Sequence, residues 1–325
     1  MIIQKNKKMR LKIGIVMDSI SSINIEKDSS FAILLEAQNR GHDIYYMEIN
    51  DLYLFNEQAF SKVRLLQIKK NKNKWFEFTK QKDIKLNDLH AIFMRKDPPF
   101  NTEFIYATYI LENAEKNGVM IINKPQSLRN YNEKIFISFF PELIPNTLVT
   151  RNINRIQTFW QKNKDIILKP LDAMGGNSIF RIQKNDPNFS VIAETMTHYE
   201  KKYCMAQTYL PDIKYGDKRI LIINGNPIPW CLNRIPKKGE TRANLAAGGL
   251  PQIQKLTEKD WEISHLVSPF LKKKGLIFVG LDVIGDKLTE INITSPTGIC
   301  EIESKKNISI TGMLIDYIEK KIHKR

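Results

Sequence analysis

Residues 275–293 read GLIFVGLDVIGDKLTEINI, and this stretch decides the fold. Two runs rich in apolar and β-branched residues flank a polar segment that begins at Gly285, a pattern typical of an antiparallel β-hairpin. Glu290 and Asn292 are two positions apart, so their side chains share one face of the second strand. The stretch therefore predicts a hairpin with oxygen ligands on one face.

The position of Asp282 depends on the length of the hairpin turn. A two-residue turn would pair Ile284 with Lys287 and put Asp282 on the face opposite to Glu290. A three-residue turn pairs Ile284 with Leu288 and sets Asp282 opposite Glu290, and it gathers four apolar side chains on the reverse face: Leu281, Val283, Ile291 and Ile293. Because a slip of one residue moves every side chain to the other face, the apolar pattern predicts the three-residue turn.

In that register, Asp282, Glu290 and Asn292 bring two carboxylates and an amide oxygen close together. Oxygen ligands of this type suit Mg²⁺, with Mn²⁺ as an alternative, and Mg²⁺ also keeps waters and phosphate oxygens as ligands. The other interpretation is a solvated hairpin face that carries acidic residues by chance. The apolar setting favours the metal site, because carboxylates embedded in apolar strands need a counter-charge.

A second stretch, residues 166–178, reads IILKPLDAMGGNS. An apolar strand ends at Lys169, and a loop with Gly175 and Gly176 follows. Loops of this kind let backbone N–H groups approach phosphates, while the lysine supplies a positive charge. The GxxxxGK[ST] pattern of a Walker A loop is absent. A glycine turn beside a surface lysine is the alternative interpretation.

The N-terminal part, residues 9–130, has the alternating pattern of an α/β domain. Strand and helix patterns follow one another at 11–17, 29–37, 43–48, 91–95, 102–117 and 119–123. This order predicts a Rossmann-like parallel sheet. Arg95 ends the fourth of these segments just before two prolines, at the carboxyl edge where open α/β sheets bind ligands.

Two further domains are predicted, a central one at 131–212 and a C-terminal one at 213–325. In the central part the patterns indicate helices at 131–140 and 156–161 and strands at 148–150, 166–169 and 203–210. In the C-terminal part they indicate strands at 219–223 and 228–232 joined by an Asn224-Gly225 turn, a loop at 239–249 and a helix at 257–274.

The composition is that of an ordinary globular protein, with 42% hydrophobic and 26% charged residues. The net charge of +15 raises the question of nucleic acid, but the lysines are dispersed among abundant Asn and Ile, so no nucleic-acid partner is expected. The three cysteines lack metal-binding spacing, and no run approaches the roughly 20 apolar residues of a membrane span. We expect a cytoplasmic protein without a membrane partner, and a disordered extension at residues 1–8.

Several motifs together resemble those of the ATP-grasp superfamily. They are Asn132-Glu133-Lys134, residues 168–172 with 174–176, Met205-Ala206-Gln207, Asp217-Lys218-Arg219 and Thr289-Glu290-Ile291-Asn292. Within that superfamily the chain is similar to the bacterial glutathione synthetases through residues 94–100 (MRKDPPF), 239–242 with 244–249, and 294–297 (TSPT). The resemblance runs from about Met9 to residue 320. It implies an ATP-grasp fold that follows the Rossmann-like N-terminal domain.

The resemblance also implies a reaction and a set of site residues. ATP phosphorylates γ-glutamylcysteine, and the amine of glycine attacks the acyl phosphate to give glutathione, ADP and phosphate. The implied Mg²⁺ ligands are Asp282, Glu290 and Asn292, and the implied ATP-binding residues are Lys134, Lys169, Gly175, Gly176, Gln207, Tyr209, Leu210 and Asp217. Catalytic roles fall to Arg219, Arg234 and Lys169, binding of the dipeptide to Arg95, Ser295 and Thr297, and the mobile lid contains Gly239, Arg242, Gly248 and Gly249.

The chain departs from the family pattern at Leu250 and Cys300, where basic residues are expected. A sister carboxylate–amine ligase, such as a glutamate or D-alanine ligase, is the alternative within the superfamily, and residues 95–100 and the lid argue against it. A non-catalytic nucleotide- or RNA-binding module is the alternative of another class, and the lysine and metal-ligand set argues against it. The family also implies a homotetramer.

Overall fold

The computed structural model describes residues 9–240, 242–245 and 248–324, and within them the backbone forms three β-sheets. The predicted extension, residues 1–8, lies outside the described residues. Helices and strands are interspersed along the described chain, which confirms the α/β class.

The N-terminal sheet has seven strands: β1 Lys12–Val16, β2 Asp43–Met47, β3 Leu52–Phe55, β4 Gln58–Ile68, β5 Phe76–Lys85, β6 Ala91–Met94 and β7 Met120–Ile122. Their order is β3-β4-β2-β1-β6-β7, with β5 paired to β4. The pairings β1–β2, β1–β6 and β6–β7 are parallel, as predicted. Helices α1 (Ser29–Asn39) and α2 (Thr102–Lys116) pack against this sheet, and α3 (Pro125–Asn130) packs against α2.

Helix α1 starts at a capping interaction that matters for the site. The carboxylate of Asp28 accepts a hydrogen bond from the N–H of Phe31 at 2.6 Å, which satisfies one of the unpaired donors of the first turn. The helix ends before Gly41, whose φ of +87° suits the left-handed conformation found after many helices. The cap places Ser30 beside the end of β6, where its Oγ accepts a hydrogen bond from Arg95 Nε at 2.9 Å.

No element is predicted from the sequence between 52 and 85, yet β3, β4 and β5 form an antiparallel unit there. The burial of β4 alternates along the strand, so a signal of period two was present. Nearly all residues of β5 are exposed or half-buried, and several are lysines. A strand without an apolar face has no hydrophobic period that could reveal it.

The central sheet is antiparallel and has the order β10-β9-β11-β8. Its elements are β8 Thr147–Thr150, α4 Ile153–Asn163, β9 Ile166–Pro170, β10 Phe180–Ile182, α5 Phe189–Thr197 and β11 Cys204–Thr208. The two helices and the strands enclose a separate apolar core, which includes Ile156, Leu168, Phe189 and Ala206. The strand predicted at 203–210 is shorter in the structure, where β11 spans Cys204–Thr208. A 3-10 helix at Pro211–Tyr215 redirects the chain after it.

The predicted helix at 131–140 is confirmed only in part. Only a 3-10 helix at Ile135–Phe139 forms. Asn132 Oδ1 accepts hydrogen bonds from the N–H groups of Lys134 and Ile135, both at 3.1 Å, so a side chain takes the place of the first helical acceptors. Pro141 then lacks an N–H and disfavours helical backbone at the residue before it.

The C-terminal sheet is antiparallel and has the order β14-β13-β12-β15-β16. Its elements, with the last helices, are β12 Asp217–Ile223, β13 Asn226–Ile235, β14 Leu250–Lys255, α6 Glu258–Lys273, β15 Phe278–Ile284, β16 Lys287–Asn292, α7 Ile299–Glu303 and α8 Ile310–Ile322. The turn between β12 and β13 has positive φ at Asn224 (49°) and Gly225 (77°), which confirms the predicted tight turn.

The β15–β16 hairpin confirms one prediction and corrects another. Asp282 lies opposite Glu290, as expected. The three-residue turn is wrong, however, because Ile284 pairs with Lys287 across a two-residue turn. The register shifts between Asp282 and Val283, where a bulge inserts Thr289 as one extra residue. A two-residue turn alone would put Asp282 and Glu290 on opposite faces, and the bulge returns them to the same face. The Thr289 hydroxyl donates to the Asp282 carbonyl at 3.1 Å.

Asn123, directly after β7, joins the N-terminal sheet to the C-terminal sheet. Its Oδ1 accepts hydrogen bonds from the N–H groups of Ile277 and Phe278 at 2.7 and 2.9 Å. Its Nδ2 donates to the carbonyls of Phe278 and Ile293 at 2.8 and 2.7 Å. Helix α8 returns to pack against α1, which adds a second connection between the two ends of the chain. No helix among the described residues is long and apolar enough to cross a membrane.

Candidate active site

A row of charged side chains crosses one face of the C-terminal sheet. In strand register, Arg234 lies opposite Asp217, Arg219 opposite Asp282, and Asp282 opposite Glu290. Asp217 and Arg219 are two residues apart on β12, so both point to the same face. All except Glu290 have side chains that are largely buried. Buried charges of this kind are tolerated because each acid has a basic partner beside it.

Asp282 is held between two guanidinium groups. Arg219 Nη2 donates to Asp282 Oδ2 at 2.9 Å, and Arg234 Nη2 lies 3.0 Å from the same oxygen. Burial acts to raise the pKa of Asp282, but the two arginines outweigh it and hold the pKa well below its usual range. The carboxylate is therefore anionic at neutral pH.

Two lysines reach Glu290 from outside the C-terminal sheet. Lys169, at the end of β9, places Nζ 3.5 Å from Glu290 Oε1 and donates to the carbonyl of Thr289 at 3.2 Å. Lys134 Nζ is 3.8 Å from the same oxygen and donates to the carbonyl of Ala173 at 2.6 Å. Burial acts to raise the pKa of Glu290, but Lys134 and Lys169 lower it overall. Burial also lowers the pKa of Lys169, although Glu290 partly opposes the effect.

Between the central and C-terminal sheets lies a cavity of about 870 Å³, called here the first cavity. The predicted ATP-binding residues all line it: Lys134, Lys169, Gly175, Gly176, Gln207, Tyr209, Leu210 and Asp217. Gly175 and Gly176 have φ of +69° and +81°, so the loop uses a backbone conformation that side chains disfavour.

Asp217 has an open hydrogen-bond acceptor at the wall of the first cavity. Its Oδ1 is buried and has no partner among the described residues, while Arg234 Nη2 bonds to Oδ2. Burial raises the pKa of Asp217 to about 6, although Arg234 opposes the rise. A buried acceptor without a donor is costly, so this atom is suited to a donor from a bound molecule.

Residues 242–244 of the loop at 239–249 line the first cavity, and residues 241, 246 and 247 lie outside the described part. Arg242 and Asn244 line the cavity. A Cβ on Gly176 would lie 2.5 Å from Asn244 Oδ1, so the glycine permits close contact between the two loops. Gly249 is required in the same way, since a Cβ there would lie 2.0 Å from the carbonyl of Ala243. The other two predicted lid glycines, Gly239 and Gly248, have φ of +85° and +89°.

A second cavity of about 910 Å³ adjoins the first and shares Lys134 and Glu290 with it. Its wall also contains Asp97, Glu133, Arg219, Arg234, Asn292, Ser295 and Thr297. The Ser295 hydroxyl donates to Asp97, and the Thr297 carbonyl accepts from Arg219 Nη1 at 3.4 Å. Two of the three predicted dipeptide-binding residues are thus brought together here.

Arg95, the third of these residues, does not line either cavity. It is buried against the ring of Phe278, with the guanidinium carbon 5.5 Å from the ring centroid. Burial lowers its pKa, and Asp28 and Asp97 oppose the shift. Its Nη1 has no hydrogen-bond partner among the described residues, so one donor of this buried guanidinium is available.

The donor set at the junction of the cavities fits a hard divalent cation. Asp282 and Glu290 are anionic because their pKa values are lowered. Asn292 Nδ2 donates to the carbonyl of Gly280 at 3.4 Å, which leaves Oδ1 as the atom to face a ligand. Among the described residues no group of three or more His, Cys, Asp or Glu side chains is arranged to hold a metal. Two carboxylates and one amide oxygen suit Mg²⁺, which completes its shell with water and phosphate oxygens.

The sequence alone indicates no individual role for Glu133, Asn244 or Thr289, which the structure brings to the site, whereas it places Asp97 beside Arg95 at the carboxyl edge of the N-terminal sheet, where ligands bind. Glu133 and Asn244 lie inside motifs that resemble those of the family. The resemblance implies roles for their neighbours Lys134 and Arg242 instead. Thr289 could not be found, because the bulge that turns its carbonyl toward Lys169 has no signature in the local pattern.

Two protein-family models match the chain: the prokaryotic glutathione synthetase N-terminal domain at residues 11–129 and the prokaryotic glutathione synthetase ATP-grasp domain at residues 133–307. The chain belongs to the prokaryotic glutathione synthetase family. Glutathione synthetase from Buchnera aphidicola (subsp. Acyrthosiphon pisum) is 72% identical over 317 residues, which cover 98% of this chain and 99% of that one. The Escherichia coli glutathione synthetase is 60% identical over 315 residues, with 97% and 100% covered.

Solved structures share the fold at much lower identity. D-cycloserine synthetase DcsG has a TM-score of 0.66 at 11% identity, covering 95% of this chain and 99% of that chain. The ATP-grasp ligase PsnB in complex with a precursor peptide and AMPPNP has a TM-score of 0.61 at 16% identity, with 97% and 99% covered. These neighbours confirm the ATP-grasp fold. As a glutathione synthetase family member, the chain is an ATP-dependent carboxylate–amine ligase of glutathione synthesis.

Proposed function

We propose that the chain joins γ-glutamylcysteine to glycine through an acyl phosphate, with ATP converted to ADP and phosphate. The family membership supports the reaction, and one structural observation carries the mechanism: the two cavities meet at Lys134 and Glu290. Transfer of a phosphoryl group from a nucleotide to a second substrate requires both reactants to meet at such a junction.

In this proposal ATP occupies the first cavity. The adenine lies between the central and C-terminal sheets beside Gln207, Tyr209 and Leu210, which line the cavity. Asp217 accepts a hydrogen bond from the ribose, a role that its partnerless Oδ1 supports. The apolar walls would bury the base, while the charged row lies at the phosphate end.

The phosphates lie against the two buried lysines and the glycine loop. Lys134 and Lys169 supply positive charge, and Gly175 and Gly176 allow backbone N–H groups to approach the phosphate oxygens. Lys169 has lost most of its hydration through burial and has only Glu290 as a close anionic partner among the described residues. A phosphate would therefore improve its electrostatic environment, which supports a catalytic role.

Asp282, Glu290 and Asn292 are proposed to hold Mg²⁺, and Mn²⁺ suits the same donors. When bound, the ion supplies neutralisation of phosphate charge during transfer. Arg219 and Arg234, which bond to Asp282 in the structure, lie at the wall of the second cavity as well. In this proposal their guanidinium groups stabilise the transferring phosphoryl group and the tetrahedral intermediate.

The dipeptide is proposed to occupy the second cavity. Its glycine-accepting carboxylate attacks the γ-phosphorus, and the amine of glycine then displaces phosphate from the acyl carbon. Ser295 and Thr297 line this cavity. Arg95 does not line it, but its Nη1 has no hydrogen-bond partner among the described residues and can donate to a ligand. Closure of the lid at 239–249 excludes water, which would otherwise hydrolyse the acyl phosphate.

A measurement of ADP release tests this proposal. The purified protein is assayed with ATP, Mg²⁺ and γ-glutamylcysteine, with and without glycine. Glycine-dependent ADP release with formation of glutathione is expected. Turnover with a different acceptor in place of glycine would assign the chain to a sister carboxylate–amine ligase, and no turnover with any acceptor would leave only a nucleotide-binding role.

We also propose a cytoplasmic homotetramer, on the family resemblance alone. Light scattering after size-exclusion chromatography should then give about four times the chain mass of 37.8 kDa. A mass of one or two chains would contradict the assignment.

A further inference from the structure

The wall of the second cavity contains three carboxylate groups, those of Asp97, Glu133 and Glu290. Glu290 is engaged by the two buried lysines, Lys134 and Lys169, and stands among the proposed metal ligands. The other two carboxylates have no assigned role in the reaction. Their hydrogen bonds differ, and the difference indicates what each can bind.

Glu133 is anchored through one carboxylate oxygen only. Its Oε1 accepts hydrogen bonds from the N–H of Ile293 at 2.7 Å, from the N–H of Thr294 at 2.9 Å and from the Thr294 hydroxyl at 2.9 Å. Its backbone carbonyl accepts from the N–H of Ile291 at 2.9 Å. Three donors on Oε1 fix the orientation of the side chain. Oε2 has no hydrogen-bond partner among the described residues and is left for a ligand.

Asp97 is held differently, by residues of the N-terminal part and by Ser295. One of its oxygens accepts from the Ser295 hydroxyl, and its N–H donates to Asp18 Oδ2 at 3.0 Å. It also interacts with the buried guanidinium of Arg95, whose pKa it acts to raise. Asp97 is therefore part of the N-terminal sheet edge, where the dipeptide is proposed to lie.

An amino acid that serves as acceptor is a zwitterion, so its site needs an open anion for the ammonium and a cation for the carboxylate. Glu133 offers such an anion, in a cavity whose wall also contains the guanidinium groups of Arg219 and Arg234. Glu133 also directly precedes Lys134, whose Nζ lies 3.8 Å from Glu290 Oε1 at the junction where the acyl phosphate would form. We infer that Glu133 binds the ammonium group of the acceptor amino acid.

This inference rests on the proposed function, and the test separates the two. Glu133→Gln keeps an amide oxygen that can accept the three anchoring bonds, but it removes the negative charge. The purified variant is assayed with glycine and, separately, with hydroxylamine, whose nitrogen is uncharged at neutral pH and traps the acyl phosphate as a hydroxamate. The KM for glycine should rise by about 10- to 100-fold, as loss of a charge-assisted hydrogen bond predicts. Hydroxamate formation and the KM for ATP should stay within about threefold of wild type.

Asp97→Asn is the matched control, because it makes the same change of charge at another carboxylate in the wall of the same cavity. It should change the glycine and hydroxylamine reactions by the same factor. A selective loss of the glycine reaction in Asp97→Asn would overturn the assignment to Glu133. An equal loss of both reactions in Glu133→Gln would overturn it too, since that result indicates a structural role.

A second measurement needs no variant. Glycolate has a hydroxyl group where glycine has its ammonium, so its inhibition constant against glycine in the wild-type enzyme should exceed the KM for glycine by at least about 10-fold. Equal binding of the two would overturn the inference. If the wild-type protein itself forms no glutathione, the proposed function fails. If it forms glutathione and Glu133→Gln keeps the wild-type KM for glycine, only the inference about Glu133 fails.

Discussion

Asn123→Ala should destabilise the protein strongly, because this one side chain connects two sheets. It makes four buried hydrogen bonds of 2.7 to 2.9 Å to the backbone before and after the hairpin. At about 1 kcal/mol net for each bond, their loss predicts a fall of about 4 kcal/mol in the free energy of unfolding. Turnover should fall as well, since Phe278 begins β15, which carries Asp282, and Ile293 directly follows β16, which carries Glu290.

Urea unfolding followed by tryptophan fluorescence measures this change. Asn117→Ala is the control, because the amide of Asn117 is exposed and donates one hydrogen bond, to the Asn113 carbonyl at 2.9 Å. That substitution should alter the free energy of unfolding by less than about 0.5 kcal/mol. A loss below about 1 kcal/mol in Asn123→Ala would refute the reasoning, because the four backbone groups would then have found other partners.

Three further outcomes are expected. Glu290→Gln should lower turnover about 100-fold or more and raise the Mg²⁺ concentration for half-maximal rate, and an unchanged Mg²⁺ requirement would contradict the metal assignment. Thr289→Val removes the hydroxyl that bonds to Asp282, so the free energy of unfolding should fall by about 1–2 kcal/mol, whereas Thr289→Ser should match wild type in urea titrations. The pKa of Asp217 is raised from 3.8 to about 6, so its stabilising contribution is present below about pH 4 and lost as the pH rises through about 6. Relative to Asp217→Asn, wild type should therefore lose up to about 3 kcal/mol over that range, and equal pH slopes in urea unfolding would argue against the shift.

The hairpin illustrates how far a local pattern can be interpreted. Apolar alternation correctly places Asp282 opposite Glu290, because burial of the reverse face controls which residues share a side. The turn length was wrong because two different backbones give that same facing: a longer turn, or a short turn with a bulge at Thr289. Only tertiary contacts select between them. The interactions of Thr289 with Asp282 and Lys169 are contacts of that kind.

The candidate site, too, is predicted from the sequence only in part. The lysine and the glycines of the 166–178 stretch predict a phosphate-binding loop, but by themselves they also allow a glycine turn beside a surface lysine. The structure adds that Lys169, Gly175 and Gly176 line one cavity. The pairing of Asp282 with Arg219 and Arg234 was out of reach, because it depends on the order of three strands in the C-terminal sheet. Arg95 was correctly placed at a strand end, but the packing of Phe278 and Ser30 that buries it comes from distant parts of the chain.

The separate apolar core of the central sheet has a mechanical consequence. The N-terminal and C-terminal sheets are connected by Asn123 and by the contact of α8 with α1. The central sheet has a core of its own, and Met205 of β11 also packs into the larger core of the other two sheets. A tilt of the central sheet would therefore leave its own core intact and would require repacking where Met205 meets the larger core. Such a tilt would change the distance between Lys169 on the central sheet and Asp282 on the C-terminal sheet. We expect nucleotide entry and product exit to use this change in the width of the first cavity.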